Sequence, residues 1–150
     1  MTDSPKRYLV LCTANRCRSQ MAHGWLAFLG GDAVEVFSAG AKPGGVHPLS
    51  IEVMGEAGVD ISGHSSDHLD QYLDDSFDAV ITVCDNAQEA CPVFPGAKRL
   101  IHQGFDDPDD KTGTLSANEM RPTFCRVRDE IRAWCADFLA SEGVLAASTA

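Results

Sequence analysis

An apolar run at residues 8–11 ends directly before Cys12, and a helical pattern of apolar residues begins at Ser19. The run predicts a buried strand over residues 8–11, and the pattern predicts a helix over residues 19–29. A loop that joins such a strand to such a helix lies at the carboxyl end of the strand, where open α/β sheets bind ligands. This segment therefore predicts an α/β protein with a ligand site beside Cys12.

The predicted oxyanion-binding loop is Cys12, Thr13, Ala14, Asn15, Arg16, Cys17, Arg18 and Ser19. A loop of this length can curl its backbone N–H groups around one small tetrahedral anion, with the Cys12 thiolate below it and the Arg18 guanidinium beside it. The same positive field favours the thiolate, which is the nucleophilic form of cysteine. Asn15 suits such a loop because Asn readily adopts positive φ. Ser19 can serve as the helix cap or as a hydroxyl donor to the thiolate.

Strand and helix patterns alternate along the rest of the chain. Strands are predicted over residues 34–37, 77–83 and 98–102, and a helix over residues 48–57. A long terminal helix is indicated by one apolar stripe: Phe124, Val127, Ile131, Trp134 and Phe138. Such alternation favours a parallel sheet with helices on both faces. We expect a single domain over residues 1–150, with its core at about residues 8–139 and a flexible tail at 143–150.

Composition narrows the class of protein. The net charge of −10 argues against nucleic-acid binding, for which a basic surface is expected. The sequence contains neither a signal-peptide pattern nor an apolar run long enough for a membrane span, so we expect a cytoplasmic protein with no membrane contact. In that compartment the six cysteines favour thiol chemistry over a structural disulfide framework.

Cys84 follows the predicted strand at residues 77–83, and Cys91 lies seven positions further on. A helix over that interval would rise about 10 Å, whereas a disulfide needs its Cα atoms roughly 4.4–6.8 Å apart. A bond between the two cysteines would therefore unwind the helix, as a redox switch requires; the alternative is two unrelated buried cysteines. Neither Cys12 and Cys17 nor this pair has the short spacing of structural zinc ligands, so no metal is predicted.

Asp107 is the candidate general acid, because it precedes Pro108 in a turn that follows the last predicted strand. Asp106 is the competing candidate. Since Cys12, Cys84 and Asp107 each follow a predicted strand, they can meet at one edge of the sheet. The other cysteines are interpreted as mostly structural, and four histidines as surface or loop residues without a ligand pattern: Cys17, Cys125 and Cys135, and His47, His64, His68 and His102.

Four motifs together resemble the thioredoxin-coupled arsenate reductases, which share the low-molecular-weight tyrosine phosphatase fold. The motifs are the loop from Cys12 to Ser19, the tripeptide Ser38-Ala39-Gly40, the pair Cys84 and Cys91, and the turn Gly104-Phe105-Asp106-Asp107-Pro108. The resemblance implies a four-stranded parallel sheet flanked by helices on both faces. It also implies that Cys12 is the nucleophile, Arg18 the anion clamp, Asp107 the general acid, and Cys84 and Cys91 the redox pair.

The implied reaction reduces arsenate to arsenite, for arsenic detoxification. Cys12 attacks arsenic, a disulfide passes from Cys12 and Cys84 to Cys84 and Cys91, and thioredoxin reduces it. Each exchange is a thiolate attack on a disulfide sulfur, so no cofactor is expected. Phosphate and sulfate are expected to compete for the loop because their shape and charge are similar.

The sequence departs from the family pattern in places. Ala14 stands where glycine is common. Related reductases bind potassium beside the loop; Asn15, Ser38 and Asp67 match its ligands, but His23 occupies the glutamate position, so no potassium site is predicted. Residues 112–123 form a longer connection than the family minimum, without an assigned role.

Three alternatives remain at this point. A phosphotyrosine phosphatase would use the same loop and acid, but such enzymes usually carry an aromatic residue where this chain has Asp109, and they have no use for Cys84 and Cys91. An arsenate reductase could instead draw electrons from a small thiol with glutaredoxin or mycoredoxin. A non-enzymatic redox sensor could use the same switch without turnover.

Overall fold

The structure, a computed structural model, describes residues 4–84, 94, 97–110 and 112–145. Its strands are β1 (Lys6–Cys12), β2 (Val34–Gly40), β3 (Ala79–Thr82) and β4 (Leu100–His102). Its α-helices are α1 (Arg18–Gly30), α2 (Pro48–Glu56) and α3 (Ala117–Glu142). Short 3-10 helices lie at Gly31–Ala33 and Leu69–Tyr72. None of the helices in this described part of the chain has the length and apolar character needed to cross a membrane.

The strands form one four-stranded parallel sheet in the order β2-β1-β3-β4, which confirms the predicted sheet. β1 is central, and its Leu9 pairs with Phe37 on one side and Val80 on the other. Because all strands run in the same direction, the residues that follow β1, β3 and β4 emerge at one edge. That edge carries the predicted site.

The two faces of β1 contribute to two separate apolar clusters, because successive side chains of a strand point to opposite faces. Tyr8 and Val10 belong to the larger cluster, together with buried residues from α1, α2 and α3. Leu9 and Leu11 belong to the smaller one, which the 3-10 helix at Leu69–Tyr72 joins through Leu69. Helical segments therefore flank both faces, as predicted, and the described α-helices share one of them.

Several boundaries differ from the predicted ones. β2 continues through the tripeptide Ser38-Ala39-Gly40 because its pairing with β1 extends to Cys12 and Gly40. β3 begins at Ala79, after Phe77 has packed into the smaller apolar cluster. The helix expected between Cys84 and Cys91 lies outside the described residues, as do residues 146–150 of the predicted tail.

The connection at residues 112–123 is explained by local hydrogen bonds. The Asp110 carboxylate accepts from the backbone N–H groups of Thr112, Thr114 and Leu115 at 2.7–3.1 Å. Ser116 and Glu119 then form a reciprocal capping box that begins α3. The segment is therefore a capped turn followed by the first turns of α3.

Candidate active site

The loop between β1 and α1 carries the positive-φ residue that the sequence predicts. Asn15 has a φ of 51°, which confirms the expected left-handed residue. Its buried side chain holds the turn from both ends: Nδ2 donates to Ser19 Oγ at 2.7 Å, and Oδ1 accepts from the Asp67 N–H at 3.0 Å. The loop is thus fixed by internal hydrogen bonds.

Cys12 lies at the base of this loop with only 2% of its surface exposed. Ser19 Oγ donates to Cys12 Sγ at 3.5 Å, while the helix cap position of α1 belongs to Cys17. Of the two roles left open for Ser19, the geometry thus favours the hydroxyl donor. Burial raises the pKa of the neighbouring Cys17 thiol, so Cys17 stays protonated and does not compete as a nucleophile.

Arg18 connects the loop to the turn that carries the candidate acid. The residue is 3% exposed, its Nη1 donates to the Phe105 carbonyl at 3.3 Å, and its Nη2 lies 3.5 Å from Asp107 Oδ2. A small pocket of about 20 Å³, enough for a water-sized solute, opens above the loop. It is lined by Cys12, Ala14, Arg16, Cys17, Arg18 and Asp107.

The structure separates the two candidate acids. Asp107 lines the pocket with Cys12, and its Oδ1 accepts from the Asp109 N–H at 3.1 Å. The Asp106 carboxylate instead turns to the protein surface, where it accepts from Arg126 of α3 at 2.9 Å. Of these two acids, Asp107 is the one in position to exchange a proton with a solute bound at Cys12.

Cys84 follows β3 by two residues and is fully buried in the same apolar cluster as Cys12. β3 pairs with β1 directly, and the Val83 N–H donates to the Leu11 carbonyl at 3.0 Å. Cys84 is disulfide-bonded, whereas Cys12 is a free thiol. Cys91 lies outside the described residues, so its part in the redox pair stays a prediction. Cys125 and Cys135 lie on α3, where Cys125 is half-buried and Cys135 buried, and their structural role stays a prediction.

His47 has a larger part in the site than its sequence context indicates. It is a loop residue, as predicted, but it is buried rather than on the surface. Its Nδ1 accepts from the Leu49 N–H at 3.0 Å and caps α2, and its Nε2 lies 3.4 Å from Asp109 Oδ1. Burial lowers the pKa of His47, so the ring is neutral. A histidine before the Pro48 that opens a helix was the available signal for this cap.

His23 stacks on His64 beside the loop, with ring centroids 4.1 Å apart. Its Nδ1 is 2.9 Å from Ser38 Oγ, and burial lowers the pKa of His23 to about 3. His64 Nδ1 lies 2.9 Å from Gln20 Oε1, and Gln20 Nε2 donates to the Asn15 carbonyl at 3.1 Å. Burial also lowers the pKa of His64, so a pair of neutral imidazoles supports the back of the loop.

These residues do not fit a potassium ion. The neutral His23 supplies no negative charge to balance a cation, and its ring nitrogen contacts the Ser38 hydroxyl. Asn15 Oδ1 already accepts a hydrogen bond from the Asp67 backbone N–H. Both carboxylate oxygens of Asp67 accept hydrogen bonds from hydroxyl groups. More widely, no group of three or more His, Cys, Asp or Glu is arranged to hold a metal within the described ranges.

We therefore expect activity to be independent of potassium. Replacing sodium chloride by potassium chloride at equal ionic strength should change kcat/KM by less than about twofold, a free-energy difference below roughly 0.5 kcal/mol. Steady-state assays in the two salts measure this. A several-fold increase of kcat/KM in potassium chloride would contradict our interpretation that the neutral His23 replaces the glutamate of a potassium site.

Gly40 is required by the close approach of β2 to the loop. A Cβ at this position would lie 2.6 Å from the Thr13 carbonyl oxygen and 2.9 Å from that of Cys12. We expect Gly40→Ala to destabilise the protein by about 1–3 kcal/mol, because the obstructing atoms are backbone and cannot rotate away. We also expect it to lower kcat/KM by about tenfold or more, since the loop must shift. Denaturant unfolding and steady-state kinetics measure the two effects.

The matched control is Gly55→Ala in α2, where an added Cβ meets nothing within 4 Å. Alanine is the better helix former, so this variant should gain up to about 1 kcal/mol and keep full activity. Equal stability and equal kcat/KM in the two variants would show that the close packing at Gly40 contributes to neither property.

The chain is similar in sequence to a known protein family and to named members of it. The low molecular weight phosphotyrosine protein phosphatase family matches residues 7–146, and the chain belongs to that family. Its relatives within the family include arsenate reductases. The arsenate reductase of Halalkalibacterium halodurans is 47% identical over 121 residues, which cover 81% of this chain and 86% of that protein.

Solved structures agree with this placement. A structure described as an arsenate reductase in the phosphate binding state has a TM-score of 0.76 and 31% identity, covering 91% of this chain and 98% of that one. The Corynebacterium glutamicum thioredoxin-dependent arsenate reductase has a TM-score of 0.70 and 28% identity, covering 94% of this chain and 63% of that one. The predicted fold and family are both confirmed.

Proposed function

We propose that this chain is an arsenate reductase that uses Cys12, Cys84 and Cys91 as a thiol relay and is recycled by thioredoxin in the cytoplasm. The observation that carries the proposal is the placement of two buried cysteines at the ends of adjacent strands, with only Cys12 in an anion loop. A phosphatase needs Cys12 as its nucleophile but does not need Cys84. Relatives named as arsenate reductases, one of them thioredoxin-dependent, support the same reaction.

In the first step, arsenate binds to the backbone N–H groups of the loop and to Arg18. The Cys12 thiolate forms a bond to arsenic, and one arsenate oxygen leaves as water after Asp107 supplies a proton. The 3.5 Å contact of Ser19 Oγ with Cys12 Sγ stabilises the thiolate before attack. Arsenic remains in the +5 state in this adduct.

In the second step, the Cys84 thiolate attacks the Cys12 sulfur. The bond between sulfur and arsenic breaks, its electron pair stays on arsenic, and arsenite leaves in the +3 state. The two electrons come from the two thiols, which become a disulfide. Cys91 then attacks Cys84 and frees Cys12, so that thioredoxin reduces a disulfide of Cys84 and Cys91. The disulfide-bonded Cys84 beside a free Cys12 supports this last arrangement.

The test is arsenate-dependent NADPH oxidation with thioredoxin and thioredoxin reductase. We expect sustained turnover, and only weak release of phosphate from an aryl phosphate. Replacing thioredoxin by glutathione with glutaredoxin, or by mycothiol with mycoredoxin, should give little turnover. Strong aryl phosphate hydrolysis without arsenate turnover would instead assign the chain to the phosphatases of its family.

A further inference from the structure

Asp109 contacts two side chains, Arg16 and His47, at the side of the pocket that Arg16 lines, which we call the rim. Its Oδ2 lies 3.5 Å from Arg16 Nε, and its Oδ1 lies 3.4 Å from His47 Nε2. The three side chains are largely shielded, with exposed fractions of 23% for Asp109, 31% for Arg16 and 10% for His47. The contact therefore joins the acid turn, the anion loop and the start of α2.

The proton on His47 is fixed by the backbone. Because Nδ1 accepts from the Leu49 N–H, the neutral ring carries its proton on Nε2, where it faces the Asp109 carboxylate. His47 is thus a donor to Asp109 without being charged. Its orientation is further held by packing against Phe124, with ring centroids 4.9 Å apart.

Arg16 is directed to the rim instead of the loop centre. Its Nη1 donates to the Gly44 carbonyl at 2.6 Å, and its Nε faces Asp109. Gly44 lies close against the same side chain, since a Cβ there would be 2.9 Å from Arg16 Cδ. Arg16 also lines the small pocket above Cys12. Its guanidinium therefore closes the side of the pocket next to Asp109, whereas the Arg18 guanidinium faces Asp107.

We propose that Asp109, held by Arg16 and His47, is a specificity-determining residue that confines the site to free inorganic tetrahedral oxyanions and excludes their organic esters. A tetrahedral oxyanion that turns three oxygens to the backbone N–H groups of the loop directs its fourth oxygen away from them, to the side where Asp107 lines the pocket. In an ester, the organic group on that fourth oxygen must pass the rim. There it meets a closed contact and would bury an apolar group against a carboxylate.

This inference rests on the proposed function, because it narrows the substrate class of the same site. Its test measures binding and needs no turnover. Inorganic phosphate and phenyl phosphate are each titrated as protectants of Cys12 against alkylation by iodoacetamide, and the Cys12 peptide is quantified by mass spectrometry. A wild-type protein that failed to reduce arsenate would refute the proposed function, whereas this ratio of protection constants would still decide the inference.

For Asp109→Ala we expect the affinity for phenyl phosphate to rise relative to phosphate by about tenfold, because one repulsive element is removed. His47→Asn should shift the ratio in the same direction by a smaller factor, since asparagine preserves the cap of α2 but does not reach Asp109. The matched control is Asp106→Ala, which removes an exposed carboxylate paired with Arg126 and should leave the ratio unchanged.

An unchanged ratio in both Asp109→Ala and His47→Asn would overturn the proposal, as would an equal shift in Asp106→Ala. A parallel loss of affinity for both anions would also overturn it, because it would indicate a structural role for Asp109 in place of selection. Using His47→Asn as a second variant keeps the test decisive if Asp109→Ala does not fold.

Discussion

Replacing Cys12 with serine should remove arsenate-dependent NADPH oxidation completely, whereas replacing Cys91 with serine should leave one turnover per protein. A serine hydroxyl is not ionised near neutral pH and cannot enter a disulfide, so Cys12→Ser lacks both the nucleophile and the first redox thiol. Cys91→Ser retains Cys12 and Cys84, which are enough to release one arsenite. The variant then stops as a disulfide between Cys12 and Cys84, in which Cys12 is no longer a free nucleophile.

The measurement combines two readings. Steady-state NADPH oxidation with thioredoxin reports turnover, and arsenite released per protein without thioredoxin reports the single event. Cys125→Ser is the matched control, because Cys125 lies half-buried on α3 outside the pocket and should leave both readings unchanged. Repeated turnover of Cys91→Ser with thioredoxin would count against the relay.

The sequence predicts those features of the fold and site that depend on residues close together in the chain. The strand that ends at Cys12, the left-handed Asn15 and the helix that starts beside Ser19 all follow from one segment. The parallel sheet follows from the alternation of strands and helices. The shared edge for Cys12 and Asp107 follows in turn, because parallel strands end at the same side.

Contacts between distant segments could not be predicted in the same way. The sequence indicates two arginines in an anion loop, but it does not reveal that Arg16 turns to Gly44 and Asp109. His47 lies 62 positions from Asp109, and its burial depends on how α2 and the acid turn pack together. By contrast, the capping box of Ser116 and Glu119 is a local pattern, and its spacing in the sequence is enough to predict where α3 begins.

The choice between Asp106 and Asp107 shows where the structure adds most. From the sequence, either of two adjacent aspartates in a turn could be the general acid, and a proline after one of them favours it only weakly. In the structure, Asp106 pairs with Arg126 at the surface, while Asp107 faces Arg18 across the pocket. The distinction depends on the position of α3, which lies 20 residues further along the chain at Arg126.

Asp107→Asn should therefore lower kcat for arsenate reduction by about 10²–10⁴-fold, the range typical of a lost general acid. Asparagine keeps the size of the side chain and an oxygen that can accept from the Asp109 N–H, so the turn should keep its conformation. It cannot supply the proton that the departing oxygen needs. The KM for arsenate should change much less than kcat, because the loop and Arg18 remain in place.

Asp106→Asn is the matched control, since it makes the same chemical change one residue away and on the surface. It should retain nearly all wild-type activity, because exposed ion pairs contribute only about 0–1 kcal/mol to stability. Steady-state kinetics of both variants, with unfolding curves to verify the fold, decide between the two acids. A large loss of kcat in Asp106→Asn with little in Asp107→Asn would reverse the assignment. It would also require the acid turn to rearrange when arsenate binds.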